Sequence, residues 1–253
     1  MLLQHPRGMA RKTAIARWEA SSKAGIRYDP PWEYKSHFYQ AVSGLGGRKK
    51  SLLDLGTGTG KVIFETRAYE SYEGVFGIDI EPGMIDLARK RARQIGVQVS
   101  FIQGDNLDLP FPKESFQIVT SMFSPYTPEE AFRVLAPGGH FILLWGLYGD
   151  HRELTSLFPE IFSLWKGRLY FETFAEREER LEKAGLHLLG HTTLQYQWLF
   201  EDEKAIRQFY EKISLAGIFE GKEEKLRALK RNAQGKIPVT RIIGTTIARK
   251  LSQ

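Results

Sequence analysis

The segment Asp54-Leu55-Gly56-Thr57-Gly58-Thr59-Gly60 sets one carboxylate ahead of three glycines at alternate positions, straight after the apolar pair Leu52-Leu53. Glycines in such a turn permit backbone angles closed to other residues and let a ligand lie against main-chain N–H groups. Two more carboxylates follow at similar intervals. Asp79 comes just after Val75-Phe76-Gly77-Ile78, and Asp105 just after Phe101-Ile102-Gln103-Gly104. An ionised carboxylate only accepts, and accepts from several donors, so an acid at the end of each apolar run suits a ligand that carries hydroxyl and amino groups.

Three nucleotide-binding turns share this look, and spacing separates them. A phosphate-cradling Gly-x-x-x-x-Gly-Lys-Ser/Thr loop fails twice, because Leu55 stands at its first glycine and Val62 follows Lys61. A dinucleotide fingerprint needs glycine where Lys61 stands. What remains, Asp-x-Gly-x-Gly-x-Gly, resembles the class I S-adenosylmethionine-dependent methyltransferases, in particular their small-molecule (type 11-like) branch. The likeness continues through Phe116-Gln117-Ile118-Val119-Thr120-Ser121 and from Glu130 through Pro137-Gly138-Gly139 to Phe141. One departure is Gln117, where the family commonly carries an acid.

The resemblance implies residue roles. Gly56, Gly58 and Gly60 would wrap the methionine part of S-adenosylmethionine, and Asp54 would orient the loop and the cofactor's amino group. Asp79 would accept from both ribose hydroxyls, with a helix N-cap ahead of Pro82 as its other reading. Asp105 would accept from the adenine amino group with Asn106 beside it, and Ile80 and Met84 would wall the adenosine or simply fill core. Thr57, Gly104 and Ser121 complete the expected cofactor contacts. Tyr28 is the expected lid over the cofactor, or else packs on the sheet edge.

Methyl transfer from a sulfonium is an in-line displacement, so orientation can supply most of the rate, and a base is needed only where the acceptor must lose a proton. His151, beside Asp150, is the candidate base; a surface-loop histidine is the alternative. His187 and His191 have no third ligand in view and read as structural, and no metal is expected. The acceptor should enter where the fourth and fifth of the strands counted from Ser51 end, among Ser121 to Tyr126 and Trp145, Tyr148 and Asp150.

Short apolar runs alternating with helices position these groups. Strands are expected at Ser51–Leu55, Val75–Ile78, Val99–Gln103, Phe116–Thr120, His140–Trp145, Leu186–Thr193 and Arg241–Ala248, with Pro137-Gly138-Gly139 as a turn. Helices are expected at Glu33–Leu45, Met84–Gln94, Phe174–Lys183, Asp202–Ala216 and Lys222–Ala233. The implied fold is a doubly wound α/β domain with a mostly parallel seven-stranded sheet and helices on both faces. Residues 1–50 form a helical lead-in, and residues 51–253 the domain, with substrate-side insertions around 147–175 and 198–235.

The 253 residues, 42% of them hydrophobic, suffice for one elaborated domain. The absence of cysteine excludes disulfides, thiolate metal sites and a cysteine nucleophile. No apolar run approaches membrane-spanning length, so a cytoplasmic protein is expected. The net charge of +6 is uneven: each end carries about +7 and the middle about −8. Those basic ends, with Phe123-Ser124-Pro125-Tyr126, which is distantly similar to the Asn/Asp-Pro-Pro-Tyr loop of nucleic-acid amino-methylating enzymes, make RNA an alternative substrate. A small molecule is the first expectation, because Trp165, Tyr170, Phe171, Phe174, Tyr196 and Trp198 offer an aromatic pocket. A protein that binds the cofactor without turning it over is the third reading.

Overall fold

The computed structural model describes residues 27–29, 35–161, 172–210 and 217–252. Eight strands form one sheet in the order β1-β7-β8-β6-β5-β2-β3-β4. They are β1 (Arg27–Asp29), β2 (Gly47–Leu55), β3 (Tyr72–Asp79), β4 (Ser100–Gln103), β5 (Phe116–Met122), β6 (Leu135–Gly146), β7 (Leu186–Phe200) and β8 (Ile237–Lys250). The helices are α1 (Ser36–Gly44), α2 (Lys61–Glu65), α3 (Ala68–Ser71), α4 (Pro82–Ile95), α5 (Pro128–Val134), α6 (Arg152–Leu157), α7 (Phe174–Lys183), α8 (Glu203–Tyr210) and α9 (Glu223–Arg227).

Strands β2 to β6 are parallel, and the central three, β2, β5 and β6, carry continuous apolar stretches because both faces are covered there. Consecutive Leu52 and Leu53 show this, one packing in the core with Ile118 and Ile142, the other in the core with Val119 and Leu143. Strand β8 runs antiparallel to β6, and β7 antiparallel to β8. Helix α4 follows the rules for its ends: Pro82 opens it, Gly96 at φ +70° stops it, and Ile85, Ala88 and Ala92 face the core between them. Helix α7 opens on a capping box in which Thr173 and Glu176 exchange hydrogen bonds.

The seven expected strands are all present, and an eighth joins them. Arg27–Asp29, in the expected helical lead-in, pairs antiparallel with Gln197–Leu199 of β7. The other expectations for residues 1–26 and for Trp165, Tyr170 and Phe171 lie outside the described residues. Pro137-Gly138-Gly139 is a register shift inside β6 rather than a separate turn. The expected helix Lys222–Ala233 stops at Arg227, because Asn232 closes a turn: its side-chain oxygen accepts from the N–H groups of Gln234 and Lys236.

Two features of this topology place the site. The sheet order reverses at β2 and β5, so the loops leaving their carboxyl ends diverge and open a crevice. On the same edge, the pairing of β7 with β8 continues to Phe200 and Ile237, well past the end of β6 at Gly146. The chain between those strands, with α8 and α9, packs there against α6 through Leu154, Phe158, Ile206, Phe209, Tyr210, Phe219 and Leu226. Among the described residues no helix is long and apolar enough to cross a membrane.

Candidate active site

The turn after β2 holds Gly56, Gly58 and Gly60 at φ +61°, +55° and +78°, the left-handed region that favours glycine. A side chain on Gly56 would collide with Ser124, whose Oγ lies 1.7 Å from where a Cβ would stand, whereas one on Gly58 would meet nothing within 4 Å. The turn is braced by three hydrogen bonds, two to β3 and one to the loop after β4. Thr57 N donates to Ile78 O at 2.9 Å, Gly58 N donates to Asp79 Oδ2 at 2.8 Å, and Gly56 N donates to Asn106 Oδ1 at 3.2 Å. Asn106 also donates to Ser124 Oγ (2.9 Å) and Pro125 O (3.1 Å), which pins the loop after β5 across the mouth of the glycine turn.

Asp54 is 1% exposed at the tip of β2. Thr120 donates to its Oδ1 at 2.7 Å, while Oδ2 is buried with no hydrogen-bond partner. Burial pushes its carboxyl up to about 7, against the opposing effect of the Thr120 and Thr57 hydroxyls. Burial also raises Asp79, opposed by the N–H groups of Glu81 and Gly58, which donate to Oδ1 and Oδ2 respectively. Each Asp79 oxygen thus keeps acceptor capacity for a ligand. Asp79 is not the N-cap of α4, a position held by Glu81.

Large apolar side chains stand exposed on the neighbouring tips, Ile80 at 55% and Leu107 at 40%. Met84, in the first turn of α4, is half-buried. The partnerless Asp54 oxygen, the open space above Gly58 and this apolar rim fit a ligand with an amino group at one end and a flat ring at the other. The other expected contacts are placed as follows. Gly104 N donates to Asp79 O at 3.0 Å, and Asp105 Oδ1 accepts from Leu107 N at 2.9 Å in a tight turn. The Asn106 side chain is engaged in bracing, and the Ser121 hydroxyl is turned inward onto Ser124 O at 3.0 Å. The backbone of Tyr28 lies in β1 opposite Trp198, on the far side of the sheet order from the glycine turn.

His151 is neither exposed nor on a flexible surface turn. It is 2% exposed at φ +57°, ahead of α6. Its Nδ1 shares a hydrogen bond with the Tyr210 hydroxyl, and its Nε2 is 3.5 Å from Asp150 Oδ2. Burial, with the Arg241 charge adding to it, holds its imidazole well below the usual range, so the ring is neutral. Asp150 is committed to Arg241, whose Nε and Nη2 donate to it at 2.8 and 3.1 Å, and it also accepts from Ile242 N at 2.8 Å. The Arg241 guanidinium lies 3.8 Å over the Trp198 ring and 6.0 Å from the Phe123 centroid.

The sequence does not single out Thr120 or Arg241, and it offers Ser124 only among the acceptor-side residues, not as a neighbour of the glycine turn. Thr120 and Ser124 matter through contacts with Asp54 and Gly56, far away in the chain. Arg241 read only as the first residue of an apolar strand. Gln117 sits away from the site: its Oε1 accepts from Ser51 N and Oγ, tying β5 to the middle of β2. Tyr126 and Trp145 are buried core, and burial pushes the Tyr126 phenol up to about 12. His191 stacks on Phe174 at 3.5 Å, and among the described residues no group of His, Asp or Glu could hold a metal ion.

Residues 52–139 match the family model described as "Methyltransferase domain". A demethylmenaquinone methyltransferase of Deinococcus radiodurans is 37% identical over 139 residues, covering 52% of this chain and 54% of the relative. A demethylmenaquinone methyltransferase of Thermus thermophilus is 38% identical over 102 residues, covering 38% and 46%. The chain spans about half the length of these curated relatives. Among solved structures, the YcgJ protein of Bacillus subtilis aligns at a TM-score of 0.62 with 18% identity, covering 86% of this chain and 99% of that one. The geranyl diphosphate C-methyltransferase of Streptomyces coelicolor A3(2) aligns at 0.56 with 18% identity, covering 98% and 87%. Residues 52–139, which carry β3 to β5 and parts of β2 and β6, are thus similar to a methyltransferase domain, and the sheet as a whole aligns with structures of that fold.

Proposed function

We propose that this protein transfers the methyl group of S-adenosylmethionine to a small molecule that enters between the tips of β5 and β6. The observation that carries the reading is the corner where the buried, half-partnered carboxylate of Asp54, the open face of Gly58 and the carboxylate of Asp79 meet. When bound, S-adenosylmethionine supplies an electrophilic methyl group on a sulfonium. Asp54 receives the cofactor's amino group, and the backbone of Gly56, Gly58 and Gly60 lies along its methionine part. Asp79 accepts from the ribose hydroxyls and Asp105 from the adenine amino group, with Ile80 and Met84 beside the ring. Residues 147–175 and 198–235 supply the cap on the acceptor side, and the setting is cytoplasmic.

The chain's own contribution is orientation and the exclusion of water. His151 serves as no general base in this reading, because Tyr210, Trp198 and Asp150 shut it in. The acceptor is therefore a nucleophile that needs no strong base from the protein. The RNA reading is weakened at the C-terminal end, where part of the basic charge is matched within the fold: Lys222 by Glu160, Arg231 by Glu203, Lys236 by Glu201 and Arg241 by Asp150.

Incubation with methyl-labelled S-adenosylmethionine and a metabolite panel tests the reading. Demethylmenaquinone and its reduced form belong in that panel first, because two relatives are demethylmenaquinone methyltransferases. Label in a small organic product supports the proposal; cofactor binding without label transfer to any acceptor, or transfer to RNA alone, counts against it. Asp79→Ala should weaken S-adenosylhomocysteine binding by about 1–3 kcal/mol, the usual loss for hydrogen bonds to a charged group. Calorimetry finding an unchanged affinity would contradict the ribose assignment.

A further inference from the structure

Phe123, immediately after β5, has φ +53°. That region is costly for any residue with a Cβ and most of all for a bulky one. The conformation is fixed by a hydrogen bond from Phe123 N to Leu144 O at 3.0 Å. The glycine turn answers the same backbone demand with glycine three times, and at position 123 an aromatic ring stands in its place. Strain of this kind in a cleft points from the backbone to a use for the side chain.

One side of the ring packs against the core, and the ring is only half-buried, so the rest of it is open. It lies 6.4 Å from the Trp145 ring, tilted by 34°. Its position is set by its neighbour: Ser124 fills the space beside Gly56, and Asn106 clamps Gly56, Ser124 and Pro125 together. Phe123 is thus one residue from the part of the turn assigned to the methionine moiety. Behind it lie buried groups that are aromatic and close to neutral: Trp145, the Trp198 ring beneath Arg241, and the Arg241 charge matched by Asp150. His151, the N-cap of α6, is another bulky residue at positive φ and lies edge-on to the Trp198 ring.

We propose that Phe123 determines acceptor specificity, its ring forming one face of a slot for a flat, uncharged aromatic molecule. This deepens the methyl-transfer reading and rests on it. An aromatic face gains most from an offset or edge-on ring, and a wall whose one guanidinium is already paired offers a free carboxylate nothing in exchange for its water.

The test uses the full chain saturated with S-adenosylhomocysteine and titrated calorimetrically with 1-naphthol, then with 1-naphthoate. The wild type should bind 1-naphthol more tightly than 1-naphthoate. Phe123→Gly, which suits the backbone, and Phe123→Leu, which keeps an apolar side chain, should each weaken 1-naphthol binding by about tenfold. Both should retain wild-type affinity for S-adenosylhomocysteine. Absence of 1-naphthol binding by the wild type, wild-type affinity for 1-naphthol in both variants, or preference for 1-naphthoate would overturn the proposal. Failure of the wild type to bind S-adenosylhomocysteine would instead strike the methyl-transfer reading beneath it.

Discussion

Replacing Asp54 with Asn should raise the thermal midpoint of the cofactor-free protein at pH 8 while removing most of its affinity for S-adenosylhomocysteine. The carboxyl is raised from 3.8 to about 7 in the folded chain by burial, so the folded state holds the proton more tightly than the unfolded state does. Its stabilising contribution is complete below about pH 4 and is lost as pH rises through 7, where the ionised group costs on the order of 4 kcal/mol. Asparagine carries no such charge, and its side-chain oxygen can still accept from Thr120. At pH 8 the midpoint should rise by about 5 °C or more, with the gain shrinking toward pH 5. The same substitution removes the negative charge that meets the cofactor's cationic end. Thermal scans from pH 5 to 8 check the first half and calorimetry the second. A lower midpoint at pH 8, or undiminished affinity, would show that Asp54 is an ordinary structural carboxyl.

Asp150→Ala should be the most damaging single change on the acceptor side. Arg241 is 4% exposed and takes both oxygens of Asp150, so removal of the carboxylate leaves a buried cation without its counter-charge. Breaking a buried pair in this way costs about 3–5 kcal/mol, which lowers the midpoint of a chain this size by roughly 10 °C. Removing both charges is far milder, because the desolvation penalty of the guanidinium goes with it. Asp150→Ala combined with Arg241→Met should recover most of the loss. Urea unfolding of the two single variants and the double measures the coupling. A single variant within about 1 kcal/mol of wild type, or a double variant no better than Asp150→Ala, would contradict the role given to the pair.

The parallel strands, and the glycine turn and acids of the proposed cofactor corner, are legible in the sequence because each has a local signature. Leu52-Leu53, Ile118-Val119 and Phe141 to Leu144 are continuous apolar runs, as strands covered on both faces must be. Asp54, Asp79 and Asp105 recur with the strand–helix unit that carries them. What escaped had no local signature. Strand β1 is three residues whose identity as a strand comes only from β7, far along the chain. Arg241 reads as one residue of an Ile- and Thr-rich strand, and its meaning lies in Asp150, on another element. His151 reads as a loop residue because its burial is produced by Tyr210 and Trp198 folding over it. Phe123 sits in an apolar stretch that conceals a backbone angle no residue type announces.

The central claim, that the cofactor lies across the tips of β2, β3 and β4, is tested most directly by a crystal structure with S-adenosylhomocysteine. The predicted result has the ribose on Asp79, the amino group toward Asp54, and Ile80 and Leu107 covered by the ligand. Density at any other edge of the sheet, or a ligand leaving the open face of Gly58 untouched, would contradict the account.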